Sequence, residues 1–199
     1  MLSAIIATHE SERSLVPTLA ALIPGATAGL VSEVIVTDAG SHDATSEVAD
    51  LAGCRFMASA APLGARLNQA ASGARAPWLL FLRAGAVPDA SWIDETGRFI
   101  DETRLGGGID SMAATFRPAP AAGSQRPALV EALALLGRAL GARAQPDQGL
   151  LIAKRFYIDL GGHRADAVDT EADLLRRLGR ARIVMLRSGV ASPRRSRTD

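Results

Sequence analysis

Four short apolar runs, each followed by a polar turn and a segment of helical spacing, constrain this fold more than any other feature of the chain. They are "SAIIAT" (Ser3–Thr8), "SEVIVTDAG" (Ser32–Gly40), "RFMAS" (Arg55–Ser59) and "WLLFL" (Trp78–Leu82). Between the first two, Leu15, Leu19 and Leu22 recur at helical spacing, and Gly25 stands where that helix is expected to stop. The second run leads into "SHDATSEVADLAG", where Ser41 or Asp43 is placed to cap a helix with Ala44, Val48 and Leu51 facing inward and Gly53 at its end. "GARLNQAASGA" reads as a third helix, and "VPDASWIDE" opens a fourth, with Ser91 and Asp94 spaced as a capping box. Strands separated by helices imply a Rossmann-like α/β fold, a mainly parallel sheet with helices on both faces. Ligands of such sheets sit beyond the C-terminal strand ends, where Thr8, Asp38 and Arg83 lie.

The second half is less regular. "SMAATF" reads as a strand and "RPAPAAGSQRP" as a Pro-rich loop. Leu129, Leu133, Leu136 and Leu140, widened by Val130 and Leu135, form the apolar stripe of a helix. Such a stripe packs on a core or faces lipid or a partner, so it is the place to look for a homodimer. "GLLIAK", "DTEADLLRRLGR" and "ARIVMLR" follow as strand, helix and strand. With no internal repeat and no long linker, residues 1–199 are expected to form a single domain.

The length of 199 residues suffices for one substantial core. Apolar runs are too short to cross a bilayer, and the N-terminus lacks a basic segment leading into a long apolar one, so a cytoplasmic location is expected. With 22 Lys and Arg against 21 Asp and Glu, the net charge of +1 gives no reason to expect nucleic acid. The tail, residues 191–199, carries Arg194, Arg195 and Arg197 and reads either as a flexible solvated end or as a weak membrane-surface contact. The only cysteine, Cys54, excludes an intrachain disulfide and reads as a core thiol at a strand start.

Five blocks, in order, resemble the family-2 glycosyltransferases of the GT-A fold, particularly a short bacterial subgroup. They are "AIIATHE", "VIVTDAGSHDAT", "GARLNQAASGARAPWLLFLRAG", "PDQGLLI" and "TEADLLRRL". The resemblance implies a nucleotide-binding half to residue 86, an acceptor half over 87–190, and transfer of a sugar from a UDP- or GDP-sugar to a hydroxyl acceptor with inversion. Thr8 and His9 would line the base pocket. Asp38 would accept a hydrogen bond from the base imide, which presents an N–H donor. Arg66 and Asn68 match positions near the diphosphate, Asp147 and Gln148 positions near the acceptor, and Glu171 the catalytic base.

Each assignment has a plainer reading. Asp38 can be a turn residue bonded to its own backbone at Gly40, and His9 a surface histidine. Arg66 and Asn68 can be one face of a helix, and Asp147 and Gln148 ordinary loop residues. "DTEAD" can be an acidic helix start favoured by the macrodipole.

The departures from the family pattern are as informative. Where the family has Asp-x-Asp, or His-Ala-Asp in the subgroup, this chain has Arg83-Ala84-Gly85, so the usual Mg²⁺ or Mn²⁺ site is expected to be absent. Thr170 replaces the Glu that precedes the base, and Ala7 replaces the first-strand proline. Arg83 offers a fixed positive fork suited to phosphate oxygens and reads as the replacement for the metal. The alternative is a non-catalytic binding module that keeps the fold. Nucleotidyl transfer is less consistent, because "ATHESERS" lacks the glycine and lysine of such loops. "GARLNQAASG" and "LGGGIDS" do not sit where phosphate-cradling loops must, and His42 and His163 are too isolated to suggest zinc.

Overall fold

The computed structural model describes residues 1–108, 111–119 and 144–192. The Leu129–Leu140 helix, most of the Pro-rich loop and the arginines of the tail lie outside the described residues. The parallel half is β1 (Leu2–Thr8), α1 (Glu12–Thr27), β2 (Val31–Asp38), α2 (Thr45–Leu51), β3 (Arg55–Ala58), α3 (Leu63–Gly73) and β4 (Trp78–Arg83). There follow β5 (Val87–Pro88), α4 (Trp92–Leu105), β6 (Ala113–Ala119), a 3₁₀ turn at Pro146–Gln148, β7 (Leu150–Ala153), α5 (Lys154–Asp159), α6 (Thr170–Leu178) and β8 (Ile183–Ala191).

The described strands form one sheet in the order β3-β2-β1-β4-β7-β6-β8-β5. The first four strands run parallel. β7 is antiparallel to both β4 and β6, so β6 and its parallel neighbour β8 run with the first four, while β5 runs against β8. This is the expected α/β architecture, mostly parallel. The central strands are buried along nearly their whole length, Leu2–Ile6 in β1, Trp78–Leu82 in β4 and Leu150–Ala153 in β7, as strands covered on both faces must be.

Local expectations fail where tertiary contacts take precedence. Gly25 does not end α1, which continues to Thr27. A side chain there would place its Cβ 2.6 Å from the Trp92 ring, so this glycine serves the packing of α4 on α1. The chain turns instead at Gly29, with φ 71°. Leu51 does not face inward: it is 88% exposed, and the buried positions of α2 are Thr45 and Ala49. Ala44 occupies the N-cap of α2, while Asp43 accepts from the Thr45 backbone N–H at 3.0 Å and also ties down the Glu12 N–H at 2.9 Å. The Ser91–Asp94 capping box does not form. Asp89 takes the bonds instead, accepting from the Ser91 N–H and hydroxyl and, from β8, the Gly189 N–H. Cys54 is half-buried just ahead of β3, and burial pushes its thiol pKa up.

Candidate functional site

Register sets the site. Thr8 pairs with Asp38, Asp38 with Ala58, and Ala7 with Arg83, so the C-terminal ends of four parallel strands form one edge. Asp38, 1% exposed, is fully engaged there. One oxygen accepts from the Gly40 and Ser41 N–H groups at 2.7 and 2.6 Å. The other accepts from the Thr8 and Ser41 hydroxyls at 2.7 and 2.6 Å. Burial pushes its carboxyl pKa up, but these bonds outweigh it and hold the group below the ordinary range. A carboxylate has about four lone-pair sites, and this turn uses four. As placed, Asp38 organises the β2 turn, which is its plainer reading, and an imide N–H would have to displace one of these bonds. His9 is exposed nearby.

Arg66 is buried behind this turn. It donates from Nε to the Ala61 carbonyl at 3.2 Å and from a terminal nitrogen to the Thr37 carbonyl at 2.8 Å, locking α3 to the end of β2. Asn68 faces the other way. Its amide nitrogen donates to the His163 carbonyl at 3.0 Å, which fixes its orientation, so its Oδ1 accepts the Tyr157 hydroxyl at 2.9 Å. The single Tyr157 proton is thereby used, and its oxygen accepts from the His163 N–H at 3.0 Å. The Tyr157–His163 Nδ1 contact at 2.9 Å therefore needs a proton on Nδ1, the neutral Nδ1–H tautomer. Burial, aided by Arg177, pulls the His163 pKa down to about 3, while Asp173 opposes the shift. Gln148 is buried and bonds back to the Gln145 N–H at 2.7 Å, and the Asp147 carbonyl accepts the Ser192 hydroxyl at 2.6 Å.

Arg83 and Glu171 are brought together from opposite halves of the chain. The Arg83 guanidinium donates through Nε and one terminal nitrogen to both Glu171 oxygens, in a two-point ion pair whose side chains are 33% and 14% exposed. The pair lines an open cleft of about 390 Å³ between Pro62–Gly64 at the start of α3 and Ala165–Glu171 at the start of α6. Asp169 caps α6 by accepting the Ala172 N–H at 3.0 Å. Pro62 offers α3 no side-chain cap, which leaves the first backbone N–H groups of α3 without an intrahelical partner. Thr170, 4% exposed, has a hydroxyl with no partner. The walls meet closely at Gly64, where a Cβ would lie 2.2 Å from the Arg164 carbonyl and 2.8 Å from the Thr170 hydroxyl. Behind Glu171 lies a cavity of about 10 Å³, lined by Phe81, Gln145, His163 and Leu175 among others, near the volume one water needs.

Of the residues singled out from sequence, only Arg83 and Glu171 line this cleft. Gly64 and Thr170, which line it, and Tyr157 and His163, which anchor the neighbouring loop to Asn68, were not singled out for such a role. The only sequence signal for them is "LGGH", where Gly162, at φ 60°, leaves no room for a side chain against Asn68 and Tyr157.

A divalent metal does not fit the end of β4. Arg83 is a cation already bonded to Glu171, and Gly85 has no side chain, so neither position supplies an oxygen ligand. Among the described residues, no three His, Cys, Asp or Glu side chains gather to hold an ion, and no helix is long and apolar enough to cross a membrane.

Residues 3–123 match the model of the family described as glycosyl transferase family 2. The match includes Asp38, Arg66, Asn68 and Arg83 and ends before Asp147, Gln148 and Glu171. No curated protein matches the chain. Among solved structures, TarS of S. aureus superposes at TM-score 0.70 and 17% identity, over 96% of this chain and 36% of its own. Its 1–349 fragment in complex with UDP-GlcNAc superposes at TM-score 0.70 and 16% identity, over 98% of this chain and 59% of its own. The glucosyl-3-phosphoglycerate synthase of Mycobacterium tuberculosis, in complex with UDP, gives TM-score 0.69 and 20% identity over all of this chain and 73% of its own. The chain thus spans about a third of the longer TarS chain and about three quarters of the synthase.

Proposed function

This chain belongs to glycosyl transferase family 2, and on that premise we propose that it transfers a sugar from a nucleoside-diphosphate sugar to a hydroxyl acceptor. The observation that carries this reading is the Arg83–Glu171 pair, which sets a cation and a carboxylate together on one cleft at the C-terminal edge of the sheet. UDP and UDP-GlcNAc appear in the structures of the similar proteins, so uridine nucleotides are the first donors to try.

In the proposed reaction the acceptor oxygen attacks the anomeric carbon and its proton passes to Glu171. The bond from that carbon to the β-phosphate oxygen breaks, and its electron pair leaves with the nucleoside diphosphate, giving inversion. Arg83 stands where the family places its metal-binding acids and supplies the positive charge that stabilises the leaving group. Loss of one well-placed donor of this kind costs about 2.7–4 kcal/mol in other enzymes. The half up to Ala86 holds the nucleotide, with His9, Thr8 and the Asp38 turn flanking the base and Arg66 fixing that turn from behind. Asn68 acts on the cleft by anchoring the His163 loop, and Asp147 and Gln148 belong to the acceptor side.

The test is calorimetric titration with UDP and GDP, with and without Mn²⁺, on the wild type and Arg83→Ala, followed by hydrolysis assays over a panel of nucleotide sugars. Metal-independent binding that weakens in Arg83→Ala supports the reading, and metal-dependent binding overturns the role of Arg83. The same ion pair favours a second reading, a binding module in which the carboxylate is permanently held by the cation. Silence across the donor panel, with no nucleotide binding, selects it.

A further inference from the structure

The Arg83–Glu171 contact has a consequence for how the cleft receives a ligand. Both Glu171 oxygens are taken by the guanidinium. Among the described residues, the charged side chains lining the cleft are one cation, Arg83, and two carboxylates, Asp169 and Glu171. An entering anion therefore meets a net negative lining unless Arg83 turns towards it. Donors suited to phosphate oxygens stand close by in the backbone N–H groups that open α3, an 11-residue helix with no side-chain cap. A phosphate group offers the guanidinium the same two-point geometry as a carboxylate, with more charge.

We propose that the diphosphate of the donor and Glu171 compete for Arg83, so that donor binding itself releases the carboxylate. This rests on the nucleotide-sugar reading above and adds an order to it. Without the donor, Glu171 is held by Arg83. With the donor, the guanidinium moves to the diphosphate and the carboxylate is free to take the acceptor's proton. The exchange trades one set of ion-pair hydrogen bonds for another and breaks no covalent bond. Its use is to keep the base masked until there is a sugar to transfer.

The test is a double-variant cycle read by calorimetry with UDP, and with GDP in parallel, on wild type, Glu171→Gln, Arg83→Gln and the combined variant. Removing the competitor tightens nucleotide binding in Glu171→Gln, by about three- to tenfold for a partly buried pair. In the Arg83→Gln background the same change has no such effect. The second comparison separates competition from simple removal of negative charge, because a charge effect persists without Arg83. Glu171→Ala repeats the measurement with a side chain that makes no new contact, and thermal melting verifies that each variant folds. Equal affinity in wild type and Glu171→Gln, or a gain that survives in the combined variant, overturns the exchange and leaves the nucleotide reading intact. No binding of UDP or GDP to any variant overturns both.

Discussion

The Asp38 turn and the Arg83–Glu171 pair lie on the same edge of the sheet, both centred on a carboxylate, yet they are built in opposite ways. Asp38 closes a local circle: its four donors come from Thr8, Gly40 and Ser41, on paired strand ends and the following turn. Glu171 is satisfied by a residue 88 positions away, across the mouth of an open cleft. The first arrangement is buried and complete, so it holds the backbone. The second is partly exposed on an open cleft, so a ligand can act on it.

The largest expected effect tests the closed side. Asp38→Ala strands two backbone N–H groups and two hydroxyls, and costs about 4 kcal/mol in urea unfolding. If that variant is tolerated while Arg83→Gln unfolds the protein, the comparison is reversed.

His163 sharpens it, because it is a closed circle on the cleft side. Its folded pKa of about 3 lies below the unfolded value of 6.5, so between these values the unfolded chain binds the extra proton and stability falls as pH falls. The loss amounts to about 3 kcal/mol by about pH 4. Denaturant midpoints from pH 7 to 5 show the slope in the wild type and lack it in His163→Phe. Gly64→Ala drives a Cβ into the Arg164 carbonyl, a backbone atom that cannot swing aside, at about 1–3 kcal/mol. It also widens the cleft, so UDP affinity falls with stability. Smallest of all, Arg83→Gln changes stability by about 1 kcal/mol, as expected for a pair still partly open to solvent, while nucleotide binding is affected strongly.

The contrast also explains what the sequence could reveal. Apolar runs and helical spacing report burial periodicity, so the strand and helix order and the strand-end positions of Thr8, Asp38 and Arg83 were legible. Asp38 bonding to Gly40 was legible as an alternative, because an Asp two residues before a turn glycine is a local pattern. The failures share one cause. Gly25 looked like a helix stop because its partner, Trp92, comes from another helix. Leu51 looked like core because spacing does not show where the neighbouring elements end. The reversal of β7 between β4 and β6, the Arg83–Glu171 contact and the Tyr157–Asn68–His163 circle are tertiary, and no local signal marks them.

Arg177 gives the cleft its mechanical character. It grips Asp173 on its own helix and donates to the carbonyls of Leu160 and Gly162. It thus rivets α6 to the segment that, through His163 and Arg164, reaches Asn68 and Gly64 on α3. Glu171 rides on that assembly. Any travel of its backbone carries helix and loop as one plate, whereas Arg83 reaches the carboxylate through its side chain alone, so a turn of that side chain works the latch and leaves the plate in place.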